Sequence, residues 1–289
     1  MQNGIGVRFW CLLCNRGVNP TLLAAKNPGN EVQSSLLRLV AGVGRDIDGL
    51  PERSEDRVHD IRVRMKKFRA VLHLAESALK RQAFAKADKL ARRLKDHFGS
   101  LRDDDVQAEL LLDLLNKAEA LATAATLGLK CTSSERTPDT APARKTCDAL
   151  ALLVEGFHLE NLSGDEIVGA WLASYRSSRQ AMSACRRDTK DDTAFHEWRK
   201  RVKQLLYQSA AIGPPLDKYA PKADRLAAVL GAHHDLSILT DRLVGNPAGS
   251  KAECAALKRK CLVARRALAM GRKLFAEKPS AVRGKVRLP

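Results

Sequence analysis

The sequence predicts an all-α protein, and three observations support the prediction. Its 289 residues include only 7 Phe, 3 Tyr and 3 Trp, so residues that favour strands are scarce. Apolar residues recur at three- and four-residue steps through most of the chain, as on amphipathic helices. Two helical segments of the first half also recur in the second. Because 45% of the residues are apolar, the chain can fill a core and is expected to be globular.

The first half is expected to form five helices. Residues 1–30 contain several Gly and Pro residues without periodicity and are expected to form an irregular lead. The first helix begins near Glu31, and the best-patterned helix runs from about Ser54 to Leu79. Three more helices are expected over about 82–98, 103–127 and 145–155, with an exposed linker over 128–143.

The second half is expected to repeat this arrangement. Its helices are predicted over about 165–187, 193–212, 216–230, 234–244 and 248–276. The run Gly213-Pro214-Pro215 breaks the chain before the third of these, and Gly231 is expected to end it. Residues 277–289 are basic, with Gly and Pro, and are expected to form a flexible tail.

The two recurring segments indicate an internal duplication. The segment from His59 to Lys66 (HDIRVRMK) aligns with that from His196 to Lys203 (HEWRKRVK), 137 residues later. Further on, Leu94, Gly99, Asp103 and Val106 align with Leu226, Gly231, Asp235 and Ile238, 132 residues later. The same order at nearly the same offset is typical of a repeat. The chain is therefore expected to form two pseudo-symmetric four-helix bundles, from repeats at 31–160 and 161–276.

The charge of the chain points to an anionic partner. There are 50 Lys and Arg against 33 Asp and Glu, which gives a formal net charge of +17. This surplus favours nucleic acid, an anionic membrane or a condensed phosphate polymer. The scarcity of aromatic residues argues against modules that stack single-stranded bases on aromatic rings.

The cysteines and the hydropathy pattern favour a cytoplasmic protein without a metal or other cofactor. Seven cysteines are an odd number in a chain long enough to need no disulfides, which fits a reducing compartment. Cys11 and Cys14 form a C-x2-C pair, but no second pair follows at zinc-site spacing. No apolar run approaches the ~18 residues that a membrane span needs, and no export signal is expected.

The repeated helix carries a row of cations beside its apolar face. At 100° per residue, four side chains in each copy fall within an arc of about 80° that borders the core. They are His59, Arg62, Lys66 and Arg69 in the first copy, and His196, Arg199, Lys203 and Tyr207 in the second. Cations in this position are expected to line a groove and bind an extended anion, because Arg and Lys match phosphate oxygens. A solvated helix face is the alternative interpretation.

The second repeated segment adds further candidates. Arg93 and Arg225 each precede the repeated glycine by six residues and are expected to contribute to the same groove. Asp103 and Asp235 follow that glycine by four residues. They are expected either to cap helices or to orient the cations of the groove.

The duplicated H-x2-R-x3-K helix, followed each time by L-x4-G-x2-R/H-D, resembles the CHAD domain, the conserved histidine α-helical domain, from about Glu31 to Ala276. The resemblance implies two four-helix bundles related by a pseudo-twofold axis, and binding of inorganic polyphosphate at a basic surface or central channel. It assigns that role to His59, Arg62, Lys66, Arg69, His196, Arg199 and Lys203. One departure is Leu206, which stands where Arg69 would be mirrored.

Binding without turnover is the function that these features predict. The sequence has no E-x-E-x-K metal-binding strand, Walker loop, nucleophile elbow or H-E-x2-H helix, so no catalytic residue is assigned. The expected partner is inorganic polyphosphate, with association with polyphosphate granules as a further expectation. Two alternatives stay open: a nucleic-acid-binding protein, and a metal-dependent phosphohydrolase that uses His59 and His196 as ligands. The oligomeric state stays open as well.

Overall fold

A computed structural model describes residues 22–50, 54–98, 103–129, 139–246 and 249–287. Within these ranges the protein is all-α and contains no strand. The α-helices are α1 (Pro28–Asp48), α2 (Ser54–Leu72), α3 (Arg81–His97), α4 (Asp103–Leu114), α5 (Lys117–Thr126), α6 (Ala141–Glu155), α7 (Gly164–Arg187), α8 (Asp192–Ile212), α9 (Ala220–Leu243), α10 (Ser250–Leu274) and α11 (Pro279–Lys285). Short 3-10 helices cover His73–Ala78 and Asp217–Tyr219.

Several helices begin where a polar side chain satisfies the first backbone N–H groups. The side chain of Asn27 accepts a hydrogen bond from the backbone N–H of Asn30, and Pro28 occupies the first turn of α1. Ser163 and Glu166 form a reciprocal capping box at the start of α7. The side chain of Asp191 caps α8, the helix that carries the second copy of the repeated motif.

Two groups of four helices meet through α2 and α8. Helices α1, α2, α3 and α6 pack around one another, and so do α7, α8, α9 and α10. Helix α2 also packs directly against α8. Large buried side chains from both groups, including Phe68, Trp171 and Trp198, belong to one continuous hydrophobic core. The two central helices are therefore held in place by apolar packing on both sides.

A second hydrophobic cluster lies where the short helices α4 and α5 meet the other group. It joins Leu111 of α4 and Ala120 of α5 to Leu239 of α9 and Ala256 of α10. The hairpin of α4 and α5 thus packs on α9 and α10, although it follows α3 in the chain.

Several predicted helix boundaries differ from those of the structure. The α-helix expected over 54–79 ends at Leu72, and the chain continues from there as a 3-10 helix. The carbonyl of Ala70, near this end, accepts a hydrogen bond from Nε2 of Gln208 on α8 (3.0 Å). The helix expected over 103–127 divides at Asn116, whose side chain caps α5. Conversely, Gly231 does not end a helix, because a single interior glycine costs only ~1 kcal/mol and α9 runs through it.

The segment after residue 277, which was expected to form a flexible tail, is partly helical over its described residues. The chain forms α11 and buries Val282 and Val286. Two ion pairs, Arg283 with Asp165 and Lys285 with Glu277, hold basic side chains of this segment. Burial of the two valines anchors this segment, which its basic composition did not indicate.

Some predictions fall outside the described residues. These are the structure of residues 1–21, which include the Cys11 and Cys14 pair, and the surroundings of Gly99 and of the Asp103 side chain. The described chain begins with Leu22 and Leu23, which are buried, and helix α1 begins three residues earlier than expected.

Two helical glycines differ in the space around them, which yields a stability prediction. A Cβ at Gly271 would lie 2.6 Å from Cζ2 of Trp198 and 2.7 Å from Sδ of Met182, whereas a Cβ at Gly169 would have nothing within 4 Å. We expect Gly271→Ala to destabilise the fold by about 1–3 kcal/mol through overpacking. We expect Gly169→Ala to stabilise it by about 0.5–1 kcal/mol through helix propensity. Urea unfolding measures both, and effects of the same sign would contradict the packing described for α10.

Candidate anion-binding site

Cations from three helices come together where α2 packs against α8. The charges of Arg62, Lys95 and Arg199 act on Lys66, and the charges of Arg199 and Lys66 act on Lys203. These five residues are called the basic cluster below. Lys66 and Arg62 lie on α2, Lys95 on α3, and the other two on α8. Cations that are 137 residues apart in sequence are therefore neighbours in space.

The two lysines of the basic cluster are held in an environment that disfavours their charge. Burial, and then the nearby Arg62, Arg199 and Lys95, lower the pKa of Lys66 to about 8. Burial, and then Arg199 and Lys66, lower the pKa of Lys203 to about 7. Asp235 and Asp224 act in the opposite direction on Lys203 but do not outweigh these effects. A bound anion would remove the repulsion and favour the charged form of both amines.

The two arginines of the cluster are positioned by equivalent parts of the fold. Nη1 of Arg62 donates a hydrogen bond to the carbonyl oxygen of Phe98 (3.2 Å), at the end of α3. The guanidinium of Arg199 lies against Gly231, where a Cβ would be 3.7 Å from Nε. In both halves, the arginine of the first repeated segment thus lies beside the second repeated segment. Arg62 contacts the residue before Gly99, and Arg199 lies against Gly231 itself.

The histidine of the second copy contacts the second repeated segment as well. Nδ1 of His196 lies 3.3 Å from Nδ1 of His234, so one ring donates a hydrogen bond and the other accepts it. Burial, and then the charges of Lys200 and Arg199, lower the pKa of His196. His196 is therefore neutral near pH 7 in the free protein. Its counterpart His59 is half-buried on α2.

Six of the ten predicted binding residues are not among the five residues of the basic cluster, and three of these six have other surroundings. Nε of Arg69 donates to Oδ1 of the buried Asp88 (2.6 Å), which also pairs with Arg92. Arg93 is exposed and lines a cavity of about 420 Å³ between α3 and α6. Arg225 is exposed next to Asp224 on α9.

Tyr207, the last predicted residue, does lie next to the cluster. Burial, and then the charge of Asp224, raise the pKa of Tyr207 to about 12, while Arg199 acts in the opposite direction. The phenol is therefore protonated at neutral pH and can donate a hydrogen bond.

Lys95 and Asp224 are residues of the site that sequence reasoning missed. The aligned position of Lys95 in the second half is Ala227, so the repeat carries no signal for this lysine. Asp235 was expected either to cap a helix or to orient the cations. The cap is wrong, because Asp235 lies inside α9, and its charge acts on Arg199 and Lys203.

Within the described ranges, no three His, Cys, Asp or Glu side chains are arranged to hold a metal ion. None of the helices described is both long and apolar enough to cross a membrane.

Comparison with known proteins identifies one family. A family model described as the CHAD domain matches residues 38–244, which is more than half of the chain. The match contains both copies of the repeated segments and all five residues of the basic cluster, and it ends at the residue after α9. No curated protein matches the chain.

The lowered pKa of Lys203 predicts that its charge destabilises the free protein. We expect Lys203→Met to stabilise the fold at pH 7 by about 1 kcal/mol or more, since one pKa unit corresponds to ~1.4 kcal/mol. Between pH 7 and 10 the unfolded wild type keeps a proton on this lysine that the folded state has lost, so wild-type stability rises with pH. The variant should show a smaller rise. Denaturant titrations at several pH values measure this, and a destabilised variant would contradict the assignment.

Proposed function

Because this chain belongs to the CHAD domain family, we propose that it binds inorganic polyphosphate at the basic cluster. The observation that carries the proposal is the juxtaposition of Lys66 and Lys203 from the two central helices, with pKa values lowered to about 8 and about 7. Like charges that are packed together in the free protein indicate a site whose counter-charge is supplied by a ligand.

The geometry favours a chain of phosphates over a single phosphate. Four of the five cations come from two helices that pack side by side, and each of these helices contributes an arginine and a lysine one turn apart, about 6 Å along its axis. The arginines supply planar donors that match phosphate oxygens, and the lysines supply point charges. A linear polyanion can contact all of these cations along both helices, whereas a single phosphate contacts fewer of them.

The aromatic residues support a ligand without bases. Among the described aromatic side chains, none is classed as exposed, and four of them, Trp171, Tyr175, Tyr219 and Phe275, pack together inside the core. Binding of single-stranded nucleic acid relies on exposed rings that stack on bases. Duplex nucleic acid stays the second candidate, because it shares the requirement for positive charge.

We also infer that the two halves derive from one duplicated unit with pseudo-twofold symmetry. The matched sequence segments, the two groups of four packed helices and the equivalent placement of Arg62 and Arg199 support this inference. In this view α3 and α4 together correspond to the uninterrupted α9. A symmetric site would present the same hydrogen-bond donors from both halves. This suits a ligand such as polyphosphate, whose two chain directions are equivalent.

The proposed activity is binding without turnover, in the cytoplasm and at polyphosphate granules. The cluster offers phosphate oxygens positive charge and hydrogen-bond donors, which is what binding requires. Retention on a phosphate polymer would then place the protein wherever the polymer accumulates.

Removing the two lysine charges should weaken polyphosphate binding specifically. We expect Lys66→Gln/Lys203→Gln to lower the affinity for long-chain polyphosphate at least about tenfold. The slope of log affinity against log salt concentration should fall by an amount that corresponds to about two phosphate contacts. The matched control Lys86→Gln/Lys145→Gln removes the same charge at exposed positions of α3 and α6 and should bind nearly as well as the wild type. Retention on immobilised polyphosphate measures both variants.

The same binding experiment distinguishes the alternatives. Duplex DNA at equal phosphate concentration should compete poorly, and equal competition would favour the nucleic-acid-binding function. Free phosphate is measured in parallel with Mg²⁺ or Mn²⁺ added, and its release would favour the phosphohydrolase. Equal losses in the two double variants would show that net charge alone drives retention, against the proposal.

Binding should weaken as the pH rises. The lysines must be charged to hold phosphate, and in the free protein they lose their protons near pH 7 and pH 8. Bound phosphate raises both pKa values, so binding takes up protons. We expect the affinity to fall about tenfold or more between pH 6 and 9. Titration calorimetry in two buffers of different ionisation enthalpy measures the uptake, which should vanish in Lys66→Gln/Lys203→Gln.

A further inference from the structure

Helix α10 carries a second basic surface, which repeats every seven residues. Six of its eight cations form three pairs of adjacent residues, and no acidic residue lies between Glu253 and Glu277. The pairs are Lys258 and Arg259, Arg265 and Arg266, and Arg272 and Lys273. They are called the heptad surface below. All six side chains are exposed.

The heptad surface is not used by the ion pairs that hold α10 in the fold. Two other lysines of this helix have such partners: Lys260 pairs with Asp192 on α8 (2.7 Å), and Lys251 pairs with Glu119 on α5 (2.5 Å). For the six cations of the heptad surface, no ion pair occurs among the residues that the structure describes. Their positive charge therefore faces solvent.

The six cations flank an apolar line. Seven residues correspond to about 10.5 Å along a helix, so the three pairs span roughly 22 Å. Members of a pair are about 100° apart around the helix and form two rows. Ala255, Leu262 and Ala269, again seven residues apart, lie between the rows, and the Leu262 side chain is 61% exposed. A small–large–small line bordered by charge is typical of the contact face of a helix that packs on another helix.

We propose that the heptad surface docks an acidic amphipathic helix of another protein. A partner helix presents side chains with the same seven-residue period, so its acidic residues can meet all three pairs in register. A phosphate polymer gains nothing from the period or from an exposed leucine. A second copy of α10 is excluded as the occupant by like charge. The surface lies beyond the residues that the family model matches, and none of its six cations belongs to the basic cluster.

Complementarity defines the partner further. It should carry an apolar residue every seven positions, opposite Leu262, with Asp or Glu on both sides. Each rim ion pair contributes only ~0.2–1 kcal/mol in water, so binding should depend on several pairs together and weaken with salt. The exposed thiols of Cys254 and Cys261 border the same face and offer positions for a fluorescent label.

The test uses the full chain and a designed peptide of three heptads, with Leu once per heptad, Glu on both sides of it, and Ala and Gln elsewhere. We expect binding in fluorescence anisotropy, and a loss of at least about tenfold for Arg265→Glu/Arg266→Glu. A peptide with Lys in place of Glu should bind that variant better than the wild type. The control Arg186→Glu/Arg187→Glu reverses an exposed pair on α7 and should leave peptide binding unchanged.

A second variant separates helix docking from simple charge attraction. Leu262→Ser keeps the net charge, so we expect several-fold weaker peptide binding but unchanged retention on polyphosphate. A peptide of the same composition in scrambled order should bind poorly. Equal binding of the ordered and scrambled peptides would overturn the proposal. So would loss of polyphosphate retention in Arg265→Glu/Arg266→Glu with peptide binding intact. Failure of Lys66→Gln/Lys203→Gln to lose polyphosphate would leave this inference unaffected.

Discussion

The packing of α2 against α8 is the contact on which the rest of the structure depends. It joins the two groups of four helices into one core, and Gln208 fastens the end of α2 to α8 through the carbonyl of Ala70. The same contact brings Lys66 close enough to Lys203 to lower the pKa of Lys203, and it brings Arg199 close enough to lower the pKa of both lysines. Apolar burial on both sides of the two helices supplies the stability that holds these like charges together. The repulsion between these charges destabilises the free protein only at this site, and a bound anion would remove the repulsion.

The structure divides its cations into two kinds. Some are paired with carboxylates that fasten helices to one another: Arg69 with Asp88, Arg64 with Asp46, and Lys260 with Asp192. Others are grouped by sign: the cations of the basic cluster lie beside one another, although Lys95 also pairs with Asp96, and those of the heptad surface face solvent. A net charge of +17 does not reveal this division. It follows from which side chains reach a carboxylate once the helices are packed.

Family membership accounts for the central part of the chain but not for its end. The matching residues, 38–244, contain both repeated segments and the basic cluster. Helices α10 and α11 lie beyond the match, yet α10 completes the second group of four helices and α11 covers part of α7. The six cations on the outer face of α10 form no ion pair among the described residues, and their seven-residue spacing is the basis of the proposed helix docking.

The sequence by itself determined the helical class, most helix positions, the repeated motif and four members of the basic cluster, Arg62, Lys66, Arg199 and Lys203. Local periodicity is sufficient for this, because residues that border an apolar stripe must lie at the edge of a packed face. It could not show that Arg69 turns to Asp88, that Lys95 joins the cluster, or that Gly231 lies inside a continuous helix. Those outcomes depend on which helix lies opposite, and tertiary packing alone decides that. The depressed pKa values of the two lysines follow from the same packing, since burial and neighbouring charge exist only in the folded chain.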